Sequence, residues 1–192
     1  MTELDLAGLT FVNFRDHAFP EGGGHGYRWV DLRSFRPRPG STGTGSAGPG
    51  AAGPGAARPG AARDGELLAA VTAHEQFRDD YAGGGVDPNG TRHGPYWLRS
   101  CGPDAYRPVS REEAIRVLRA WAHQYGALPR KLERTLDTVL FAVVDAASRL
   151  YRLRDLGAEA VHDWGGVHGA FHEFLAIDDA QGSLTLLVAA DD

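Results

Sequence analysis

Polar and apolar positions fall into their clearest order at the C-terminal end. Leu184 to Ala190 is an apolar run of strand length, and Asp179 to Gly182 before it are turn formers. With Val167 to Ile177 upstream, the pattern predicts a β-hairpin. A loop closed by a left-handed glycine pairs Asp179 with Ser183, His172 with Ala190 and Ala170 with Asp192, whereas a loop one residue shorter sets Ala170 opposite Asp191. Opposed residues share a face of the sheet. Either register therefore puts a terminal aspartate on the face expected to carry His168 and His172.

A helical period governs the middle of the chain. Ser110 and Glu113 form a capping box that opens a helix with Ile115, Leu118, Ala122 and Tyr125 on its buried stripe and Gly126 at its end. Pro129 suits the first turn of a second helix, predicted to run to about Leu153 with Leu132, Leu136, Val139, Leu140, Val143, Ala147 and Leu150 on one face. Its Val139–Ala147 stretch is apolar nearly all round, so this helix is expected to be the most buried, with Asp145 turned to solvent or to an arginine. An earlier helix starts at Asp64 as cap and carries Leu67, Ala70, Val71, His74, Phe77 and Tyr81 on one face before the glycines at 83–85. Apolar segments from Leu9 to Phe14 and from Tyr27 to Phe35 read as two strands around the loop 21–26. The expected class is α+β: an antiparallel sheet, made of the C-terminal hairpin and the N-terminal strands, packed against two or three helices.

Composition adds a division of the chain. Residues 36–63 are a Pro/Gly/Ala tract with a five-residue repeat, which excludes collagen and predicts a disordered linker between N-terminal strands (1–35) and a main domain (64–192). Such a linker still lets the strands dock on the main domain. The net charge of −5 offers no basic field for a phosphate backbone, so nucleic acid is not the expected partner. The longest apolar run falls short of the roughly 20 residues that span a bilayer, so no membrane partner is expected. A start without a signal pattern and a single cysteine point to the cytoplasm.

Candidate chemistry is sparse. His162, His168 and His172 with Asp192 are the set that would hold a divalent metal such as zinc. As a strand, residues four apart stand about 13 Å apart, too far for ligands that each approach a zinc to about 2.1 Å. Only a helix at 167–177 stacks His168 and His172 as a chelating pair, and Gly169 and the following turn favour the strand. Cys101 is a weak nucleophile candidate, since no motif selects its base. Tyr96 and Trp97, in a turn-rich connection, and Trp164, beside a glycine pair, are aromatics suited to contact another protein. With no assembled catalytic motif and no cofactor signature, the sequence points to a small binding or accessory protein that acts on another protein, with a histidine-based metal site as the alternative.

Overall fold

A computed structural model of the chain describes residues 2–20, 24–40 and 60–192. Most of the predicted linker lies outside the described residues. Strands β1 (Leu4–Asn13) and β2 (Arg28–Pro37) pair antiparallel. Helix α1 (Ala61–Ala73) follows, then two short strands, β3 (Arg92–His93) and β4 (Tyr96–Trp97), that pair with each other. Strand β5 (Tyr106–Val109) leads into α2 (Arg111–Ala122). An unbroken helical stretch then comprises α3 (Arg130–Leu136), a π-helical turn (Asp137–Phe141) and α4 (Ala142–Ala146). Strands β6 (Arg149–Leu153), β7 (Ala170–Asp178) and β8 (Ser183–Asp191) complete the chain.

The main sheet has six antiparallel strands in the order β1-β2-β8-β7-β6-β5. The N-terminal strands belong to it through β2, which pairs with β8 from Trp29↔Ala190 to Phe35↔Leu184. Helices α2 to α4 cover one face, where Leu118, Leu132, Leu140 and Val144 meet Phe174, Leu187 and Ala189. On the other face α1 and the loops after it bring Leu67, Val71, Phe77 and Cys101 onto Leu175, Leu184, Leu186 and Val188. Strand β8 is thus buried on both faces, which explains why its sequence from Leu184 to Ala190 is apolar but for Thr185 instead of alternating. The observed class is the α+β arrangement that the sequence predicts.

Several local expectations are corrected. The hairpin takes the second register, with Ala170 opposite Asp191, His172 opposite Ala189 and Asp178 opposite Ser183. The second helix of the middle region stops at Ala146 instead of Leu153: Ala147 turns extended and Arg149–Leu153 pairs with β7 and β5. Leu150 sits at a buried position in either periodicity, and the sheet, which satisfies both edges of this segment, wins. Asp64 is not the cap of α1; Gly60 holds that place, and Asp64 is buried, bound to Arg149 and the Tyr151 hydroxyl. Helix α1 ends at Ala73, where His74 caps a short helical turn through Nδ1. Tyr125 lies past the end of α2, half exposed. The Ser110 cap on Glu113 N–H is present as expected, and Asp145 is exposed.

Candidate functional site

The chemically capable side chains gather on the α1 face of the sheet, toward the end where β1 and β8 finish and β2 and β7 begin. Strand β2 alternates, sending Trp29, Asp31, Arg33 and Phe35 to this face. Arg33 is buried and donates to Asp31 (2.7 and 3.0 Å), to Asp79 (2.5 Å) and to the carbonyl of Gln76, with the Tyr81 ring against its guanidinium. Burial raises the Asp31 pKa, and its bonds to Arg33 only partly oppose this. Tyr81 adopts φ +56°, uncommon for a side chain of its size, and Asp79 Oδ1 accepts its N–H at 2.8 Å. That turn lays its ring on Trp29 at 5.1 Å between centroids, with the hydroxyl buried and without a hydrogen-bond partner among the described residues.

Beside it lies a second polar group. His93 has no exposure, stacks on Phe77 at 3.5 Å and approaches Phe77 O through Nδ1. A carbonyl only accepts, so Nδ1 carries a proton. Nε2 is hydrogen-bonded to Glu173 Oε2 (2.5 Å), and the Tyr106 hydroxyl donates to Oε1 of the same glutamate. Gly94 makes this packing possible: a Cβ there would stand 2.3 Å from the Phe171 ring. The Tyr106 ring also lines a cleft of about 1050 Å³ between the starts of α1 and α2. Acidic side chains of that cleft (Asp64, Asp104, Glu112) balance its arginines (Arg111, Arg149, Arg154), and none of the unpaired buried polar atoms among the described residues belongs to it.

The histidines of the C-terminal segment go to separate places. His162 donates from Nε2 to Gly94 O (2.8 Å) and accepts Trp164 N–H on Nδ1 (3.0 Å), so both ring nitrogens are engaged. His168 donates from Nε2 to Asp80 O (2.8 Å) and leaves Nδ1 buried without a hydrogen-bond partner among the described residues, 3.9 Å from Asp192. These two rings clip the loop before β7 onto the 78–95 segment, a junction that Arg92–Asp163 and the Tyr96↔Val161 bridge extend. His172, opposite Ala189, points to the helix-covered face, while His168 packs against Trp29 and Phe171 on the α1 face. The shared face expected for them is therefore not found, because His168 precedes the strand and does not follow its alternation. Among the described residues no three His, Cys, Asp or Glu side chains converge as metal ligands would.

Burial, with Arg152 second, pushes the His172 pKa down to about 4, and Asp191 pulls the other way. The folded state thus holds this imidazole neutral. Its contribution is complete above the ordinary histidine value of 6.5 and is lost as pH falls toward about 4. The loss amounts to at most about 3 kcal/mol. Urea unfolding between neutral and mildly acid pH is expected to show this slope in the wild type and to lose most of it in His172→Gln. An unchanged slope in the variant would assign the acid sensitivity to other groups.

Cys101 is 1% exposed with its thiol toward Trp97 O, and burial, with the Glu173 charge, raises its pKa, so the setting disfavours the thiolate that a nucleophile requires. Tyr96 and Trp97 are half-buried; Trp97 lies between the His162 ring and the Arg99 guanidinium. Trp164 is 59% exposed. The buried Arg33 and Glu173 networks were not anticipated, although a trace of the first is legible as opposite charges two positions apart, Asp31 and Arg33, which a strand puts on one face.

Fold and site together describe a six-stranded antiparallel sheet with α2 to α4 on one face and α1 with the loops after it on the other, with a polar interior on the α1 face and exposed aromatics at one end. Compared with protein-family models, curated proteins and solved structures, the chain matches none. No helix among the described residues is long and apolar enough to cross a membrane.

Proposed function

We propose that this chain is a binding protein that engages another protein through the end of its sheet where β1 finishes and β7 begins. One observation carries the reading: the two ends of the sheet differ in what they expose. At this end Leu9, Phe11, Tyr27 and Tyr125 are each between 49% and 60% exposed. The loop entering β7 adds Trp164 at 59%, flanked by Val161 and Val167. At the opposite end Arg38 pairs with Glu3 and Asp5, and Arg149 with Asp64 and Asp179. Single exposed apolar residues are ordinary, but a gathering of aromatics at one end is the composition of a contact surface.

Trp164 is the natural anchor, the most open of the aromatics that the sequence singles out. The buried polar groups support this surface from beneath: Trp29 stacks on both Phe11 and Tyr81 and donates its indole N–H to Asp192 at 3.1 Å. The reading places the protein in the cytoplasm, where its one free, buried thiol needs no partner. A photo-crosslinking amino acid at the position of Trp164 is expected to capture discrete protein adducts in the native cells. The same group at Asp179, on the ion-paired end, is expected to capture none. Equal adduct patterns from both positions would overturn the proposal.

A further inference from the structure

The outer edge of β1 invites a specific occupant. The sheet ends on two unlike strands: β5 has four residues and carries Pro108, which lacks the N–H a neighbour needs, whereas β1 has ten residues with neither proline nor lysine. A β-bulge at Ala7 further shapes this edge, shifting the β1–β2 register between Leu6 and Gly8. Without it, Leu6 and Leu9 would point to opposite faces. With it, Leu4, Leu6, Leu9 and Phe11 all lie on the α1 face, and the last three are exposed by 37%, 60% and 59%. The result is an apolar stripe alongside a row of backbone groups that no strand pairs among the described residues.

We propose that the occupant is a second copy of this chain, paired β1 to β1 antiparallel about a twofold axis at Thr10. The proposal rests on the reading of this end as a binding surface and deepens it by naming what covers its strand edge. Three features fix the arrangement. The axis at Thr10 sets Leu9 opposite Phe11 of the partner in both directions, joining the two stripes. It also pairs Gly8 to Val12, the regular run beyond the bulge, whereas an axis at Leu9 would bring Ala7 opposite Phe11. Charge is complementary in the antiparallel sense: exposed Asp5 and Glu3 mark the start of the strand, and exposed Arg15, which has no carboxylate partner among the described residues, lies just past its end. The Thr10 axis brings Asp5 toward Arg15, adding to the contact Asp5 already makes with Arg38. A parallel pairing would set acid against acid. An isologous contact of this kind closes on itself, forms one continuous sheet across both copies and leaves no β1 edge open.

Sedimentation velocity of the full chain is expected to show a concentration-dependent dimer. The double substitution Leu9→Lys and Phe11→Lys is expected to weaken it by at least about tenfold, as for central apolar anchors. Both side chains are exposed, so an unchanged far-UV circular dichroism spectrum and a cooperative thermal transition will show that the variant folds. Register is read by single cysteines. Opposed residues of an antiparallel pair have Cα atoms about 4.5–5.5 Å apart, within disulfide reach. Thr10→Cys should therefore form an intersubunit disulfide on mild oxidation, while buried Cys101 stays reduced. A chain that remains monomeric throughout, or a dimer indifferent to the lysine pair, would overturn the proposal. Adducts captured at Trp164 by a monomeric chain would leave the broader reading standing while this one falls.

Discussion

Glu173→Ala is expected to lower the stability of the folded chain by about 3–5 kcal/mol, the range for breaking a buried polar pair from one side. Glu173 is 1% exposed and His93 not at all, so no water replaces the lost carboxylate. Removing it leaves His93 Nε2 and the Tyr106 hydroxyl without partners and opens a void beside Phe171. In a chain of this length the melting temperature should drop by on the order of 10 °C. Glu173→Gln is the informative control. Its amide oxygen accepts from Tyr106 and its NH₂ group donates to a neutral His93 Nε2, which keeps every bond, so the expected loss is about 1 kcal/mol. A loss as large as that of alanine would show that the pair contributes through charge and not through hydrogen bonding.

Arg33→Ala should be comparably costly for a different reason. Here a cation is removed from between two buried carboxylates, Asp31 and Asp79, which are 8% and 4% exposed. Left facing each other without Arg33, they repel in a poorly solvated site, at a cost of about 3–5 kcal/mol near neutral pH. The pH dependence identifies the cause. Burial already raises the Asp31 pKa, and loss of its cation raises it further. A carboxyl whose folded value lies above its unfolded one destabilises the fold above the folded value, and the penalty disappears as pH falls through that value to the ordinary carboxylate range. The deficit of the variant against wild type, measured by urea unfolding, should accordingly be greatest at neutral pH and narrow on acidification. A deficit constant with pH would attribute the effect to lost packing on Tyr81.

The contrast between these residues and the histidines first singled out explains what the sequence could convey. An apolar run of strand length and turn chemistry made the C-terminal hairpin legible, and the capping box located the start of α2, because these are local signals read over a few residues. The helix predicted to about Leu153 failed at the point where a distant strand competes for the same residues. Spacing in sequence made His168 and His172 look like a pair; the strand starting at Ala170 separates their faces. The Glu173 group leaves no local signal because its members lie far apart along the chain: His93 comes from the separate β3–β4 pair, and Tyr106 of β5 reaches Glu173 of β7 from two strands away. Trp164, next to two glycines, is 59% exposed, since little stands there for its ring to be buried against.

The strand order has a further consequence for biosynthesis. Strand β2 is the second to be made, yet its inner neighbour is β8, with Trp29 lying opposite Ala190. Until that far segment leaves the ribosome, the β1–β2 hairpin has both long edges open and the apolar faces of β2 uncovered. Contacts of such high sequence separation slow folding and prolong the interval in which nascent chains associate wrongly. The protein is therefore expected to depend on chaperones during its synthesis more than a helical protein of equal size.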